Sequence, residues 1–465
     1  MRIFTSIAVA AASAIFASAS QPETMDAQLP QQWSYNSVFY QTSPTDDNWW
    51  SGFGDPVLDS LISRGIDNNF NVAVAARRIN IARQSVRQAK SAYYPQLNIG
   101  AGWSKSRQSG NLTSISTPAS ATDYFSASVD MAWEIDLFGR INSQVKELKV
   151  QYNASAADYL ATMNSLCAEI ATNYLQLRTL QEELQVTRSQ LESQKKVLKI
   201  AEARHEAGLN SALDVAQAST VYYSTESSIP SLVTSIDRSI NMLAVLVGCY
   251  SDDIKQWLET PEPLPDYQRL VAIGVPADLL RRRPDVRQAE CDMASAAAAV
   301  GIAKKDFLPT LTLEGSVGVA AHRLGDLFDN RSMTYSIAPR LSWTIFDGMA
   351  RNASLASARE QMQIAIDSYN LTLLTAFEET NNALSDYTGQ LHTIASLETV
   401  VEQAQKEMDL SLNLYKQGLS DFLSVAQAQI TLFDYTDRLV AARGSAAAAL
   451  VTLYKALGGG WQTSH

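Results

Sequence analysis

The chain has 465 residues and a formal net charge of −11, an acidic balance that disfavours nucleic acid as a partner and would favour cations in any lumen lined by its carboxylates. No stretch of about 20 apolar residues follows the N-terminal region, which excludes a helical inner-membrane transporter. The length would allow several globular domains, but an internal repeat argues for one integrated architecture.

At the N-terminus, Arg2 precedes an apolar run from Ile3 to Phe16, and Ala17-Ser18-Ala19 forms a small-x-small site, the pattern of a secretory signal peptide over residues 1–19. The segment from Ser20 to about Asn48 has no periodic signal. A helix carrying Val72, Ala75, Ala82, Val86, Ala89 and Lys90 leads to Pro95, after which Leu97, Ile99, Ala101 and Trp103 alternate as a first strand. In a second strand Phe125, Ala127, Val129, Met131, Trp133 and Ile135 alternate with Ser126, Ser128, Asp130, Ala132, Glu134 and Asp136, giving one apolar and one polar face.

From Arg140 to Ala207 there is neither glycine nor proline, and a helix of that length, about 68 residues, would extend about 100 Å, more than any bilayer. Its Leu180, Leu184, Leu191 and Leu198 recur at helical spacing, so it reads as a water-soluble amphipathic coiled-coil helix. Gly208 ends it with a left-handed cap, and a returning helix is predicted from Ser211 to Val247, kinked or broken at Pro230.

The same layout then returns, offset by roughly 210 residues. Val286, Ala289, Ala296, Val300, Ala303, Lys304, Pro309 and Leu311 repeat the first helix and strand start. A third strand holds Leu311, Leu313, Gly315, Val317 and Val319, and a fourth runs from Tyr335 to Ile345 with Pro339 as its blemish. A second long helix from Met349 to Gln417 contains Gly389, and Gln417-Gly418-Leu419 with Leu423, Val425, Ala426, Gln427 and Ala428 repeats Ala207-Gly208-Leu209 with Leu213, Val215, Ala216, Gln217 and Ala218. The last helix spans about Ser420 to Leu457. The chain is a tandem duplication, with repeats assigned to residues 20–264 and 265–465, the second including a C-terminal equatorial segment.

Four strands of about ten residues, apolar on one face and polar on the other, fit the wall of a transmembrane barrel. An open sheet edge is forbidden in hydrocarbon, where unpaired backbone groups cost several kcal/mol each, and barrels start at about eight strands. Several chains must therefore share one barrel; two would give eight strands and three would give twelve, and only the larger leaves a clear aqueous lumen. The fold class expected is an α+β membrane protein, a barrel continued by a long coiled-coil helical tube.

Chemistry-bearing motifs are absent. The four histidines, His205, His322, His392 and His465, lack ligand spacing, and no phosphate loop or nucleophile elbow occurs. No enzyme activity, metal or cofactor is expected. Cys167, Cys249 and Cys291 give no disulfide framework and read as buried small side chains.

Several motifs together resemble a known family over nearly the whole mature chain. They are Trp49-Trp50 with Phe53, Asp55-Pro56, Leu58 and Leu61; Trp133-Glu134-Ile135-Asp136-Leu137-Phe138-Gly139-Arg140; Val275-Pro276-Ala277-Asp278-Leu279-Leu280 with Arg283-Pro284-Asp285-Val286 and Ala289-Glu290; Phe346-Asp347-Gly348; and Leu453-Tyr454-Lys455-Ala456-Leu457-Gly458-Gly459-Gly460-Trp461. In this order they resemble the TolC-like outer membrane factors, in the branch serving resistance-nodulation-division efflux pumps. The resemblance implies a homotrimer in the outer membrane of a Gram-negative bacterium, with a twelve-stranded barrel in lipid and a helical tunnel with a closed tip in the periplasm. It implies a periplasmic adaptor and an inner-membrane proton-driven pump as partners. The lipid-anchor cysteine common in such proteins is absent from residues 1–50. A type I protein secretion duct on the same fold is the alternative, against which the Arg283-Pro284-Asp285-Val286 block and the closing Leu-Gly-Gly-Gly-Trp speak; a periplasmic coiled-coil scaffold that never enters a membrane is the other rival.

The family's gating positions, carried over, put a leucine ring at Leu423, but its acidic positions fall on Ser424 and Gln427 and a basic one on Ile430. Asp214, the mirror position in the first repeat, and Asp421 are the carboxylates near enough to replace them. The expected gate is thus a Leu423 ring supported by Gln427. The turns Gly208-Leu209 with Ser211, and Gly418-Leu419 with Ser420, resemble the tips that related proteins present to adaptor hairpins.

Overall fold

The computed structural model of the chain describes residues 48–107, 109, 121–265 and 280–459. The signal peptide at 1–19, the motif residues Val275 to Leu279, and Gly460-Trp461 lie outside the described residues. Twelve principal elements follow in chain order: α1 (Pro56–Asn68), α2 (Phe70–Ser91), β1 (Gln96–Ser106), β2 (Thr122–Ile135), α3 (Arg140–Glu206), α4 (Ala212–Val247), α5 (Ser251–Leu258), α6 (Pro284–Lys305), β3 (Thr310–Ala321), β4 (Met333–Ser342), α7 (Ala350–Gln417) and α8 (Phe422–Ala456). The chain divides into two compact units, one built on residues 90–147 and 292–373 and the other on the remaining described residues.

The first unit holds one antiparallel sheet in the order β1-β2-β3-β4. Register places Trp103 opposite Phe125, Ile99 opposite Val129 and Leu97 opposite Met131. Val129 in turn faces Val317 and Trp133 faces Leu313, while Val317 faces Tyr335 and Leu311 faces Leu341. Because the side-chain period is two, this registration gathers the apolar set of all four strands on one face, where Ile99 (86% exposed) and Ile337 (76% exposed) lie bare in the single chain. The other face carries Ser128, Asp130, Glu314, Ser316 and Arg340, with Ser316 Oγ donating to Asp130 at 2.6 Å and Arg340 3.5 Å from Glu314. In this sheet β1 and β4 are the edge strands.

Aromatic rings flank the apolar band. Trp103 stacks on Phe125 at 6.4 Å near the loop end. At the helix end, Trp133 Nε1 donates to the Tyr93 carbonyl at 3.0 Å and Trp343 Nε1 donates to the Phe307 carbonyl at 3.0 Å, the same bond made once in each repeat. Phe125 and Trp133 are eight residues apart on β2, about 27 Å along a strand, and strand tilt brings that close to the height of a lipid-facing band.

The strand-to-helix junctions explain two sequence signatures. Asp136 accepts from the backbone N–H of Ile141 at 3.0 Å and Asn142 at 2.9 Å, Gly139 takes φ 72°, and Arg140 clamps Glu134 with its shortest contact at 2.8 Å. In the second repeat Asp347 accepts from the Arg351 N–H at 3.3 Å and Gly348 takes φ 66°. An aspartate before a left-handed glycine thus caps each long helix where its first backbone donors are otherwise free.

Two expectations are corrected. Helix α4 continues without a break through Pro230. Around the proline, Ser227, Ser228 and Ser231 donate back to the carbonyls of Ser224, Thr225 and Ser228. Strand β4 ends at Ser342, short of Ile345, because its last partner is Thr310, and Pro309 before it has no N–H to extend the ladder. Gly389, by contrast, leaves α7 continuous over 68 residues.

In the second unit, Asp55 caps α1 by accepting from Val57 N–H at 2.8 Å and Leu58 N–H at 3.1 Å. Its other oxygen accepts from Tyr174 Oη at 2.5 Å. Arg178, fully buried, donates to Tyr174 Oη, Gln181, the Thr260 carbonyl and Glu262. Burial, then the Asp55 hydrogen bond, pushes the Tyr174 phenol well above its ordinary value. A repeated latch completes the unit: Asn69 Nδ2 donates to the Leu246 carbonyl at 2.8 Å, and Arg283 Nη1 donates to the Ala456 carbonyl at 3.0 Å. Arg283 also holds Asp285 and Glu379 at 2.7 and 2.6 Å. Burial alone would raise Asp285, but its hydrogen bonds and attraction to Arg283 outweigh that and hold the carboxyl below the usual range.

Candidate functional site

The two hairpin turns have one geometry. At the first, Gly208 takes φ 72°, its N–H reaches the His205 carbonyl at 2.9 Å, and Leu209 N–H reaches the Arg204 carbonyl at 2.8 Å. At the second, Gly418 takes φ 74°, its N–H reaches Tyr415 at 3.0 Å, and Leu419 N–H reaches Leu414 at 3.0 Å. Glycine is needed because the left-handed conformation strains any residue with a Cβ. Leu209 and Leu419 project into solvent at 65% and 71% exposure. Ser211 is exposed beside Leu209, and Ser420 is half-buried beside Leu419.

Both candidate carboxylates have local work. Asp421 caps α8, accepting from Ser424 N–H at 3.2 Å and Ser424 Oγ at 2.8 Å. Asp214, in the first turn of α4, accepts from Ser211 Oγ at 2.9 Å. Leu423, Ser424, Gln427 and Ile430 lie exposed along α8, with Leu423 58% and Ile430 50% exposed, while Phe422, Val425, Ala426 and Gln429 are buried on its other side. Spacings of four and three put Leu423, Gln427 and Ile430 on one face.

The turns are fastened to each other by residues that sequence reading passed over. Arg204 Nη1 donates to the Lys416 carbonyl at 2.8 Å and its guanidinium stands 5.0 Å from the Tyr415 ring centroid. Asn210 Nδ2 donates to Tyr415 Oη at 2.8 Å and to the Ala201 carbonyl at 3.0 Å. Tyr415 Oη donates to Asp214 Oδ2 at 3.4 Å, which makes Asp214 part of the clasp. Burial pushes the Tyr415 phenol up, with Asp214 adding to the rise. Beneath it, Tyr415 meets Phe422 edge to face at 5.4 Å over a core of Val197, Ala201, Ala218, Met408 and Val425. The sequence signal was the break in repeat identity at otherwise matched turns: Tyr415 stands where the first copy has His205, and Asn210 where the second has Ser420.

The profile of the family described as Outer membrane efflux protein matches residues 61–249 and 275–459. The chain is 32% identical over 454 residues, 96% of its length and 94% of the relative's, to the pyoverdine export outer membrane protein OpmQ of Pseudomonas aeruginosa. It is 29% identical to the toluene efflux pump outer membrane protein TtgF of Pseudomonas putida, covering 99% of this chain and 96% of that one. Among solved structures it is similar to the outer-membrane channel OprN, with TM-score 0.88 and 30% identity over 96% of this chain and 98% of the other. VceC of Vibrio cholerae aligns at TM-score 0.83 with 27% identity over 90% of this chain and 100% of the other. Two matched segments, one per repeat, an open apolar-faced sheet and paired long-helix hairpins all agree, and the chain belongs to the outer membrane efflux protein family as a TolC-like outer-membrane channel.

Proposed function

We propose that this chain is the passive, non-enzymatic exit duct of a tripartite efflux system, working as a homotrimer whose three sheets close into a twelve-stranded barrel and whose helices continue the conduit into the periplasm. The observation that carries this reading is the four-stranded sheet, continuous in its apolar face and ending in β1 and β4. Edges of that kind are tolerated in hydrocarbon only when another chain pairs with them. A periplasmic adaptor would dock at the turns Gly208-Leu209-Ser211 and Gly418-Leu419-Ser420, and an inner-membrane resistance-nodulation-division pump would supply the energy. Residues 1–19 would be removed on export, leaving repeats at 20–264 and 265–465.

In this reading the closed tip has two layers. Leu423, with Gln427 and Ser424 beside it, forms the constriction, and the Tyr415–Asn210–Asp214 clasp, with Asp421 capping α8, holds each chain's hairpins together behind it. Relatives named for pyoverdine and toluene favour small molecules over proteins as cargo. The test is complementation of a strain lacking its own exit duct: restored export of small toxic compounds without restored protein secretion is expected. Restored secretion of a type I protein substrate alone would favour the alternative duct.

A further inference from the structure

The second unit holds a cavity of about 440 Å³ between α3, α7, the C-terminal end of α8 and the start of α6. Arg283 stands in its wall and is spent on internal partners, the Ala456 carbonyl at 3.0 Å, Asp285 at 2.7 Å and Glu379 at 2.6 Å. Asn164 of α3 also lines the cavity and is only 6% exposed. Its Nδ2 donates to the Lys455 carbonyl at 3.4 Å, which fixes the orientation of the amide, and its Oδ1 has no partner among the described residues. A buried acceptor left unpaired costs about 1 to 3 kcal/mol, so this atom marks a place for a donor that the described residues do not supply.

Charge selects that donor. Asp285, Glu379 and Asp386 line the cavity with Arg283 and Lys455, three carboxylates against two cations. Asp386 and Lys455 are exposed, and neither forms an ion pair among the described residues. Glu379 and Asp386 are seven residues apart on α7, about two turns along one face. Thr452, Lys455 and Ala456 bring in the C-terminal end of α8, where the helix dipole favours positive charge. A bare metal ion does not match, because no group of three His, Cys, Asp or Glu side chains among the described residues could hold one. The volume and the small apolar walls of Ala161, Ala383 and Pro284 suit an alkyl body instead. We propose that this cavity binds a small organic amine as its ammonium ion, which donates N–H groups to Asn164 Oδ1 and the Glu379 carboxylate, shares its charge with Asp386 and lays its alkyl part against the alanines. Lys455 competes for the same carboxylates. By joining α3 to α7, the bound amine stabilises the folded unit by mass action. Such binding is independent of conduction through the channel.

The test titrates the purified full-length protein in detergent with n-butylammonium chloride and reads the thermal midpoint, with tetramethylammonium chloride and sodium chloride at matched ionic strength as controls. Butylammonium should raise the midpoint saturably, whereas sodium and tetramethylammonium, which has no N–H to donate, should not. Asp386→Asn and Asn164→Ala should each raise the half-saturating concentration several-fold. Lys455→Gln, which removes the competing cation, should lower it. Asp386→Asn and Lys455→Gln alter exposed side chains, so they decide the outcome if Asn164→Ala does not fold. A midpoint that does not respond saturably, a response shared by all three salts, or a half-saturating concentration unmoved in both Asp386→Asn and Lys455→Gln would overturn the site and leave the channel standing.

Discussion

Tyr415→Phe removes one oxygen from the clasp and leaves the rest of the packing in place. The ring keeps its edge contact with Phe422 at 5.4 Å and its place under Arg204 at 5.0 Å. Two hydrogen bonds go, the 2.8 Å bond from Asn210 and the 3.4 Å bond to Asp214. Neither partner is orphaned, since Asn210 Nδ2 still reaches the Ala201 carbonyl and Asp214 still accepts from Ser211. The short bond is then worth about 1 kcal/mol and the long one a few tenths, a total of about 1 to 1.5 kcal/mol per chain. If the clasp holds the hairpins closed, the open state gains about five- to tenfold per chain. Single-channel recording at fixed voltage reads this as open probability, and an Asp214→Ala background should shrink the effect because part of the interaction is already gone. Open probability within a factor of two of wild type, in a variant of unchanged thermal midpoint, would refute the clasp as a closing element.

Leu423→Ala should enlarge the conductance of the open channel and leave thermal stability within about 0.5 kcal/mol, because the side chain is 58% exposed in the chain; an unchanged conductance would move the constriction elsewhere. Arg283→Ala should cost about 3 kcal/mol, since it strips partners from the Ala456 carbonyl, Asp285 and Glu379 at once, and denaturant titration checks it. Gly444→Leu should destabilise the helical half by about 2 kcal/mol or more through collision with Thr179, seen as a lower thermal midpoint.

Much of this architecture could be read from the sequence because two periodicities carried it. Period-two alternation located the strands, and pairing of Phe125, Val129 and Trp133 with Val317, Leu313 and their neighbours put them on the single apolar face that alternation required. Absence of glycine and proline delimited α3, and the left-handed glycines at 208 and 418 fixed its end and that of α7. At Pro230 a kink or break of α4 was expected, and the helix runs through the proline without a break. At the turns, alignment of the repeats located the glycines and leucines but was blind to the clasp, because Arg204, Asn210 and Tyr415 have no equivalents in the opposite repeat. Interactions between the two copies are what duplication lets diverge, so they are invisible to a search for sameness. The Arg178 network was likewise hidden, since it joins residues as far apart in sequence as Asp55 and Glu262.

The most direct measurement of the central claim is the native mass of the purified protein released from detergent micelles. A twelve-stranded barrel shared among identical chains predicts three copies of the processed chain and no stable monomer, because a lone four-stranded sheet would leave the edges of β1 and β4 unpaired in hydrocarbon. A stable monomer recovered from the outer membrane would contradict it.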